Sequence, residues 1–573
     1  MSFLVLLETS GNQNFIFSTN KLRENVGASE LTYRAGTTWV FRVVDRLNYP
    51  QQSEPQPNRQ YLRQDLLNRS FNPPIEPPHL AIEIIYAASG KALLLAKDEA
   101  TAKAIVQQIT QTALIEAPGL EICGIFKAFD WETDVLGDIN RDLHRQFEQV
   151  RAEKPSAAMR FLRLPVVAEC ETSGLPANEI HYADGDSLQL SCVSIAKRNI
   201  KPNRLKSLAP AGYTFAEDLS QIDSDWLAII HADGNGLGQI FLKFHEHIQA
   251  SIAENNPTKA AKNRHYVDTL RRFSIALDIC TENAFATALA DFPKTGTVIP
   301  LIPLILGGDD LTVVCDGRAS LQFTKRFLQA FERETGRLDL PDVGSVIPDV
   351  AKEALKAARL SACAGVSIIK PHFPFSVAYD LAEKLLKSAK TVKHKVTFPD
   401  DNHQPYPCSA MDFHILYDSS GVDLKQIREK LKFSESGSED VSIYHRHNRP
   451  YVVTDLSDLA SANGVDWSKH HHWEGLETQV RALQVKDEND AERRKLPNSQ
   501  LHNLRSGLFL SRAVADSRFR LVRDRYRIAD SEQLDICVFE GEAGSLFQPE
   551  PDSTIYTTGL LDAIDVSEFL QLP

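Results

Sequence analysis

The sequence lacks the features that mark secreted and membrane proteins. Its eight cysteines include no C-x-x-C pair, so neither a disulfide framework nor a four-cysteine zinc site is supported. No apolar stretch approaches the roughly 20 residues that cross a bilayer, and the N-terminus has no basic region of the kind that opens a signal peptide. We therefore expect a protein without membrane association that works in the cytoplasm.

Acidic residues outnumber basic ones, at 76 to 63. The net charge is −13, which argues against a surface that is a nucleic-acid footprint as a whole. The densest basic segment, residues 197–206, is interpreted as a solvated linker rather than an RNA or partner contact. Histidines 470–472 are interpreted as an exposed loop rather than a metal site, because consecutive side chains on a regular element point in different directions.

The remaining composition is that of a globular protein. The chain has 573 residues, of which 43% are apolar and 24% are charged, so three or four domains of ordinary size are expected.

The most informative motif is Gly307-Gly308-Asp309-Asp310, which lies between the apolar runs 298–306 and 311–315. Two apolar runs joined by a Gly-rich turn predict a β-hairpin, and this one would expose two carboxylates. A third acid, Asp233, ends the strand-like run 226–232. Such a turn can be an ordinary solvated one, but the third acid favours a functional site.

Three carboxylates at the ends of neighbouring strands suit a two-cation phosphoryl-transfer site. Oxygen ligands are those that Mg²⁺ and Mn²⁺ prefer, and two ions about 4 Å apart stabilise both the attacking and the leaving oxygen. We interpret Asp233, Asp309 and Asp310 as catalytic and metal-binding residues, with Gly307 and Gly308 letting the backbone approach a phosphate. The chain is expected to be an enzyme that acts on nucleoside triphosphates.

The chain contains one supersecondary pattern twice, and this predicts the domains. Both copies fit β-α-β-β-α-β, so the fold class is α+β with two ferredoxin-like palms. We expect a first palm at 1–135, a linking α/loop domain at 136–225, a second palm at 226–400 and a mostly helical C-terminal domain at 401–573. In the first palm the hairpin turn has no acidic pair, and Glu8 alone matches Asp233. One carboxylate cannot hold two cations, so this copy is predicted to be catalytically silent.

Together with the openings of the two palms, the Gly-Gly-Asp-Asp turn resembles that of the large subunit of type III CRISPR effector complexes, the Cas-ten/Cmr-two family of two-palm cyclases. The N-terminal Glu8-Thr9-Ser10-Gly11-Asn12-Gln13-Asn14-Phe15-Ile16-Phe17 is similar to the family's first-palm opening. The second-palm opening Asp233-Gly234-Asn235-Gly236-Leu237-Gly238 fits as well, and the likeness spans roughly residues 1 to 400. The resemblance implies condensation of ATP into cyclic oligoadenylate messengers, with partner subunits, guide RNA and target RNA.

Two departures from the family pattern change what is expected. Many members carry an HD nuclease domain, but none of the 17 histidines is followed by Asp and the chain begins at the first palm, so DNA cleavage is not expected. The segment from Cys170 to Ala177 resembles a zinc ribbon in which Ser173 stands where a ligand would be. Zinc is therefore not expected.

The resemblance also suggests roles for further residues. Gly234 would lend a main-chain carbonyl to a metal, and Lys390 or Lys387 would contact the triphosphate. Ser10 would contact a second nucleotide across the cleft between the palms. The alternative, purely structural roles are a solvated helix face for the lysines and a buried capping residue for Ser10.

Other classes of function stay open. The chain could be a non-catalytic scaffold subunit of an RNA-guided complex, or a stand-alone cyclic nucleotide synthase such as a diguanylate cyclase. The intact acidic set argues against the scaffold, and two unequal palms in one chain argue against a diguanylate cyclase. The sequence does not reveal ring size, linkage or activating signal.

Overall fold

The computed structural model describes residues 1–49, 62–76, 80–183, 186–202, 204–249, 252, 257–417, 423–436, 441–487, 490–526, 535–551 and 553–570. The α-helices of this part are α1 Asn12–Phe17, α2 Leu22–Gly36, α3 Thr38–Asn48, α4 Leu62–Leu67, α5 Glu99–Glu116, α6 Leu136–Glu153, α7 Cys192–Asn199, α8 Leu237–Leu242, α9 Phe244–His247, α10 Lys259–Leu289, α11 Gly317–Thr335, α12 Val346–Leu355, α13 Phe375–Ala389, α14 Leu424–Lys430, α15 Val465–His470, α16 Trp473–Gln484, α17 Asn498–Leu508, α18 Arg512–Tyr526 and α19 Leu560–Val566. None of the described helices is both long enough and apolar enough to cross a bilayer.

The strands fall into two large sheets and several small ones. They are β1 Ser2–Ser10, β2 Ile82–Ala88, β3 Lys91–Ala96, β4 Glu121–Phe129, β5 Glu179–Ala183, β6 Asp186–Leu190, β7 Thr214–Phe215, β8 Leu227–Gly234, β9 Val298–Ile299, β10 Leu301–Gly307, β11 Asp310–Asp316, β12 Ala362–Ile369, β13 Thr397–Phe398, β14 Asp401–Pro405, β15 Ala410–Ile415, β16 Lys432–Ser436, β17 Val441–His445, β18 Tyr451–Val452, β19 Lys486–Asp487, β20 Asp490–Arg494, β21 Gln548–Pro549 and β22 Ile555–Thr557.

The first sheet has the order β2-β3-β1-β4 with antiparallel neighbours. Its central strand β1 is buried on both faces, since Leu4, Val5, Leu6 and Leu7 are at most 1% exposed. This order is that of a ferredoxin-like palm.

The second sheet repeats the pattern and extends it. Its order is β10-β11-β8-β12-β15-β18, and the first four strands have the same arrangement as the first sheet. The α+β class with two palm sheets, predicted from the sequence, is therefore confirmed. Strand β15 extends this sheet by pairing in parallel with β12, and β18 pairs with β15. The second-palm sheet therefore continues beyond the predicted boundary at residue 400. Among the described residues after 400, more lie in helices than in strands, and they also form the sheet β16-β17-β22-β21. The domain boundaries stay predictions.

Helix α10 joins the two halves. It begins after Thr258, whose hydroxyl accepts from the Ala261 N–H at 3.2 Å. Farther along, Arg264 and Arg271 pair with Glu83 of β2 at 2.7 and 2.5 Å. Glu83 is 1% exposed, and loss of one partner from such a buried pair costs about 3–5 kcal/mol. The first sheet is therefore fixed to the long helix of the second.

Two interpretations from the sequence are wrong. The basic segment is not a solvated linker throughout: Lys197 is buried and donates to the Phe15 carbonyl at 2.5 Å, and Arg198 pairs with buried Glu24 at 2.7 Å, whereas Lys206 is exposed. The charges of Lys197 and Arg198 fix α7 to the first palm, because a buried cation must have an anionic or carbonyl partner.

The histidines at 470–472 do not form an exposed loop. His471 and His472 are each 4% exposed. Their ring nitrogens donate to the backbone carbonyls of Asn448 and Thr454 respectively, the latter at 3.0 Å. Hydrogen bonds to the backbone make these rings part of the packed C-terminal region.

Candidate active site

Three carboxylates converge at one edge of the second sheet. Asp233 lies at the end of β8, and Asp309 and Asp310 lie at the turn between β10 and β11. Strand β11 pairs with β8 so that Leu311 lies opposite Ala232, which places the acids side by side. One ligand oxygen from each acid lies within 4.8 Å of the others. Within the described residues, this is the one group of three acidic, histidine or cysteine side chains that converges in this way.

Helix α10 holds the turn that carries the acidic pair. The Gly308 N–H donates to the Asp278 carboxylate at 2.6 Å, and the Thr281 hydroxyl donates to the Gly308 carbonyl. Gly308 has a φ of +60°, a conformation that glycine adopts without steric cost. Both backbone polar groups of this residue are fixed to one helix, which positions Asp309 and Asp310.

Gly234 leaves the space that Asp309 occupies. A Cβ atom at position 234 would lie 2.8 Å from Asp309 Oδ2 and 2.5 Å from Leu237 Cδ1. Distances under about 3 Å between such atoms are strongly repulsive, because close-packed atoms have no room to yield. A larger residue at position 234 would therefore force Asp309 or Leu237 to shift and would disturb the triad.

The surroundings favour protonation of two of the acids when no cation is present. Burial, followed by the negative charge of Asp233, raises the pKa of Asp309 to about 7. Burial, followed by the charges of Asp309 and Asp233, raises the pKa of Asp310 well above its ordinary value. Clustered carboxylates of this kind bind divalent cations, since the cation offsets the repulsion that raises the pKa values.

Divalent-cation affinity is therefore expected to depend on pH. A carboxyl with a pKa near 7 is mostly protonated at pH 6 and mostly ionised at pH 8, and protons compete with the metal. Titration calorimetry with Mn²⁺ is expected to give an affinity about ten-fold weaker at pH 6 than at pH 8. Equal affinities at the two pH values would contradict this electrostatic account.

The two predicted lysines behave differently. Lys390 pairs with Asp233 and its ammonium lies 3.4 Å from the Gly234 carbonyl, so a cation already lies among the oxygens that a metal would use. Lys387 is 70% exposed and pairs with Glu383 at 2.6 Å. The donor set of three clustered carboxylates fits Mg²⁺ or Mn²⁺, with which the Lys390 ammonium would compete.

The triad opens into a cleft between the two palms. Its volume is about 1000 Å³. The predicted residues that line it are Asp233, Gly307, Gly308, Asp309, Asp310, Lys387 and Lys390. The opposite wall comes from the first palm and from α6. The first-palm residues are Gly11–Asn14, Tyr86, Ala88, Ser89 and Lys91. The acids of the second palm thus face residues of the first palm across this cleft.

The first palm carries a different charge at the matching place. Glu8 of β1 lies opposite Lys91 of β3 in the register, where the second palm has Asp233 and Asp310. The Glu8 carboxylate and the Lys91 ammonium form an ion pair at 3.0 Å. A neutral ion pair thus replaces the acidic cluster, in keeping with the prediction that the first palm is catalytically silent. Ser10 is not among the residues that line the cleft, and its hydroxyl donates to Glu121 at 3.2 Å.

Comparison with known proteins identifies the second palm. Residues 226–398 match the family model described as Cas10/Cmr2, second palm domain. This segment is a Cas10/Cmr2 second palm. The match confirms the family that the sequence motifs predicted.

Solved structures with similar folds have low identity to this chain. Chains of the Csm1–Csm4 cassette in complex with cA4 and in complex with AMPPNP are 13% and 14% identical, and each alignment covers 99% of this chain and 69% of that chain with a TM-score of 0.46. Csm1 in T. onnurineus is 12% identical over 99% of this chain and 69% of that chain, also with a TM-score of 0.46. The alignment with the apo Csm1–Csm4 cassette, at 13% identity and a TM-score of 0.37, covers 69% of this chain and 54% of that chain. This chain thus spans about half the length of the apo cassette chain. No match was found among curated proteins.

Proposed function

We propose that the protein is a CRISPR-associated nucleotidyl cyclase that converts ATP into cyclic oligoadenylate. The observation that carries the proposal is the convergence of Asp233, Asp309 and Asp310 at the edge of a cleft of about 1000 Å³ between two palms. The Cas10/Cmr2 second palm around these acids supports it.

The triad and the Gly234 carbonyl would hold two Mg²⁺ or Mn²⁺ ions. When bound, such ions lower the pKa of an attacking hydroxyl and neutralise the charge of the triphosphate and of the leaving pyrophosphate. The new bond joins a 3′ or 2′ hydroxyl oxygen to the α-phosphorus, and the bond from that phosphorus to pyrophosphate breaks. The protein contributes mainly by holding the reacting groups in line.

Lys390 is proposed to bind the triphosphate. Its ammonium now pairs with Asp233, and a cation on that carboxylate would free the ammonium for a phosphate oxygen. Charge-assisted hydrogen bonds of this type are the strong ones in a partly buried site. Lys387 is proposed as a weaker, outer contact because its partner is Glu383 and most of its surface is exposed.

Lys390→Met is expected to lower kcat/KM for ATP by about 100-fold, because the variant keeps the length of the side chain and loses its charge. Mn²⁺ affinity is expected to stay or to rise, since a competing cation is removed. The matched control is Lys384→Met, which changes an exposed lysine of α13, the helix that Lys390 directly follows, and Lys384 does not line the cleft. Equal loss of activity in both variants would show that the position of the charge is unimportant.

The first palm is proposed to hold the second nucleotide. Two triphosphates must meet for bond formation, and the cleft has one wall from each palm. Residues of the segment Gly11–Asn14 line it, and they are better placed for this contact than Ser10, whose hydroxyl faces Glu121. The silent palm would then serve as an acceptor platform.

We further propose that the protein works with type III effector subunits, a guide RNA and a target RNA. The direct test is incubation with ATP and Mg²⁺ or Mn²⁺, alone and with those partners and activating RNA, followed by mass spectrometry of the products. Cyclic oligoadenylate is the expected product, and GTP is expected to be a poor substrate. A complex that assembles on RNA yet forms no oligonucleotide would favour the scaffold alternative, and preferential use of GTP would favour a diguanylate cyclase.

A further inference from the structure

The linking segment contains four positions with the spacing of a zinc site. Cys170 and Ser173 are separated by two residues, Ser191 and Ser194 likewise, and residues 174–190 lie between the pairs. Zinc sites of the C-x₂-C…C-x₂-C type have about 15–20 residues between the pairs. Three of the four positions hold serine here, and only the first of these was apparent from the family resemblance.

The structure brings the four positions together around the one thiol. The Thr172 hydroxyl lies 3.4 Å from Cys170 Sγ and 2.9 Å from Ser194 Oγ. Ser194 Oγ itself lies 3.5 Å from Cys170 Sγ. The Ser191 hydroxyl closes the group, at 3.1 Å from Ser173 Oγ and 3.3 Å from Ser194 Oγ. We call Cys170, Thr172, Ser173, Ser191 and Ser194 the hydroxyl ring.

The backbone around the ring is ordered by the same residues. The Gly174 N–H donates to the Cys170 carbonyl at 2.9 Å and closes the first turn. The Ser191 hydroxyl accepts from the Ser194 N–H at 3.2 Å and caps α7. Strands β5 and β6 connect the two turns as a hairpin. Two turns that meet beneath a hairpin are thus held by hydrogen bonds between their side chains.

We propose that this ribbon folds without zinc, and that the hydroxyl ring replaces a metal as the link between its two turns. Structural zinc sites use four thiolate or imidazole ligands, and the ring offers one thiol and neutral hydroxyls. The hydroxyls contact one another and the thiol at hydrogen-bond distances, so their bonding capacity is met within the ring. The family resemblance implies zinc at such a ribbon, and the residues present do not fit it.

Burial makes these hydrogen bonds important for stability. Cys170 is 3% exposed, and Ser191 and Ser194 are fully buried. Buried polar groups need partners, and loss of one costs about 1–3 kcal/mol. Burial alone would raise the pKa of the Cys170 thiol, but hydrogen bonds from Ser173, Ser194 and Thr172 lower it to about 6.

The ribbon positions a wall of the cleft. Helix α7, which the ring caps, packs on α2 of the first palm. Its Lys197 donates to the Phe15 carbonyl and to Ser18 Oγ at 3.0 Å, next to the segment that lines the cleft. A zinc-free ribbon would make this wall independent of metal supply, whether or not the chain is a cyclase.

The test is to restore the missing ligands. The wild type is expected to hold no stoichiometric zinc and to keep its melting temperature in chelator. A variant with Ser173→Cys, Ser191→Cys and Ser194→Cys is expected to bind one Co²⁺ at the ribbon, counted from the visible spectrum of a tetrathiolate site, and to become sensitive to chelator. The matched control has Ser173→Cys, Ser187→Cys and Ser191→Cys: it has as many thiols, but one of them is on an exposed position of β6, and the tetrathiolate spectrum should be lost.

Two results would overturn the proposal. One is a wild-type protein that carries one zinc per chain and melts at a lower temperature once the zinc is removed. The other is a folded triple variant whose Co²⁺ spectrum shows no more thiolate coordination than that of its control. Should the triple variant fail to fold, Thr172→Val decides: loss of a hydroxyl with two ring contacts is expected to lower the wild-type melting temperature by a few degrees, with or without chelator. An unchanged melting temperature would show that the ring does not link the turns.

Discussion

Asp309→Asn combined with Asp310→Asn is expected to lower nucleotidyl transfer from ATP by about 1000-fold or more, while the protein stays folded. Asparagine keeps the shape of each side chain and removes the charge that a divalent cation requires. The pKa values of both carboxyls are raised by burial and by the charge of Asp233, and that of Asp310 also by the charge of Asp309. Removal of charges that repel one another should leave the melting temperature without metal unchanged or higher.

The control for this variant must change the net charge equally. Asp291→Asn combined with Asp339→Asn does so at side chains that are 71% and 82% exposed. It should leave turnover unchanged, because exposed charges far from the site are screened by solvent. Turnover that survives the loss of Asp309 and Asp310 would exclude the proposed reaction at this site.

Gly234→Ala is expected to reduce kcat by about 100-fold through geometry alone. The added Cβ would lie 2.8 Å from Asp309 Oδ2 and 2.9 Å from Asp309 Cβ, so this carboxylate or the strand must move. A displacement of about 1 Å at a reacting centre can cost about 100-fold in rate. Initial rates over a range of ATP and Mn²⁺ concentrations should show a lower kcat. The Mn²⁺ concentration needed for the half-maximal rate should change more than the KM for ATP.

Gly475→Ala serves as the comparison for that variant. Nothing lies within 4 Å of a Cβ at this position, which is in α16, so the substitution should leave kcat unchanged. A Gly234→Ala enzyme with wild-type kcat would show that the triad does not need this close approach.

The acidic site could be predicted from local sequence because its signals are local. An apolar run that ends in an acid, and a Gly-rich turn between two apolar runs, identify strand ends without knowledge of the tertiary structure. The repeat then predicted that the two strands are neighbours, and the register of β8 with β11 places Asp233 beside Asp310. The order of both palm sheets followed from the same repeat.

Features that depend on contacts between distant segments could not be predicted. Asp278 and Thr281 lie one helical turn apart in a helix of 31 residues, and nothing in that helix distinguishes them before Gly308 is placed against them. The basic segment looked solvated because its partners, such as Glu24, are far away in sequence. Burial of His471 and His472 likewise depends on carbonyls from a separate loop.

The most direct measurement is the number of Mn²⁺ ions that the chain binds with a non-hydrolysable ATP analogue, counted by electron paramagnetic resonance. The wild type should bind two ions that are magnetically coupled, as expected for ions about 4 Å apart. A variant with asparagine at positions 233, 309 and 310 should bind neither. The same ion count in both proteins, or no bound ion in the wild type, would contradict the claim that these three acids form a two-metal site.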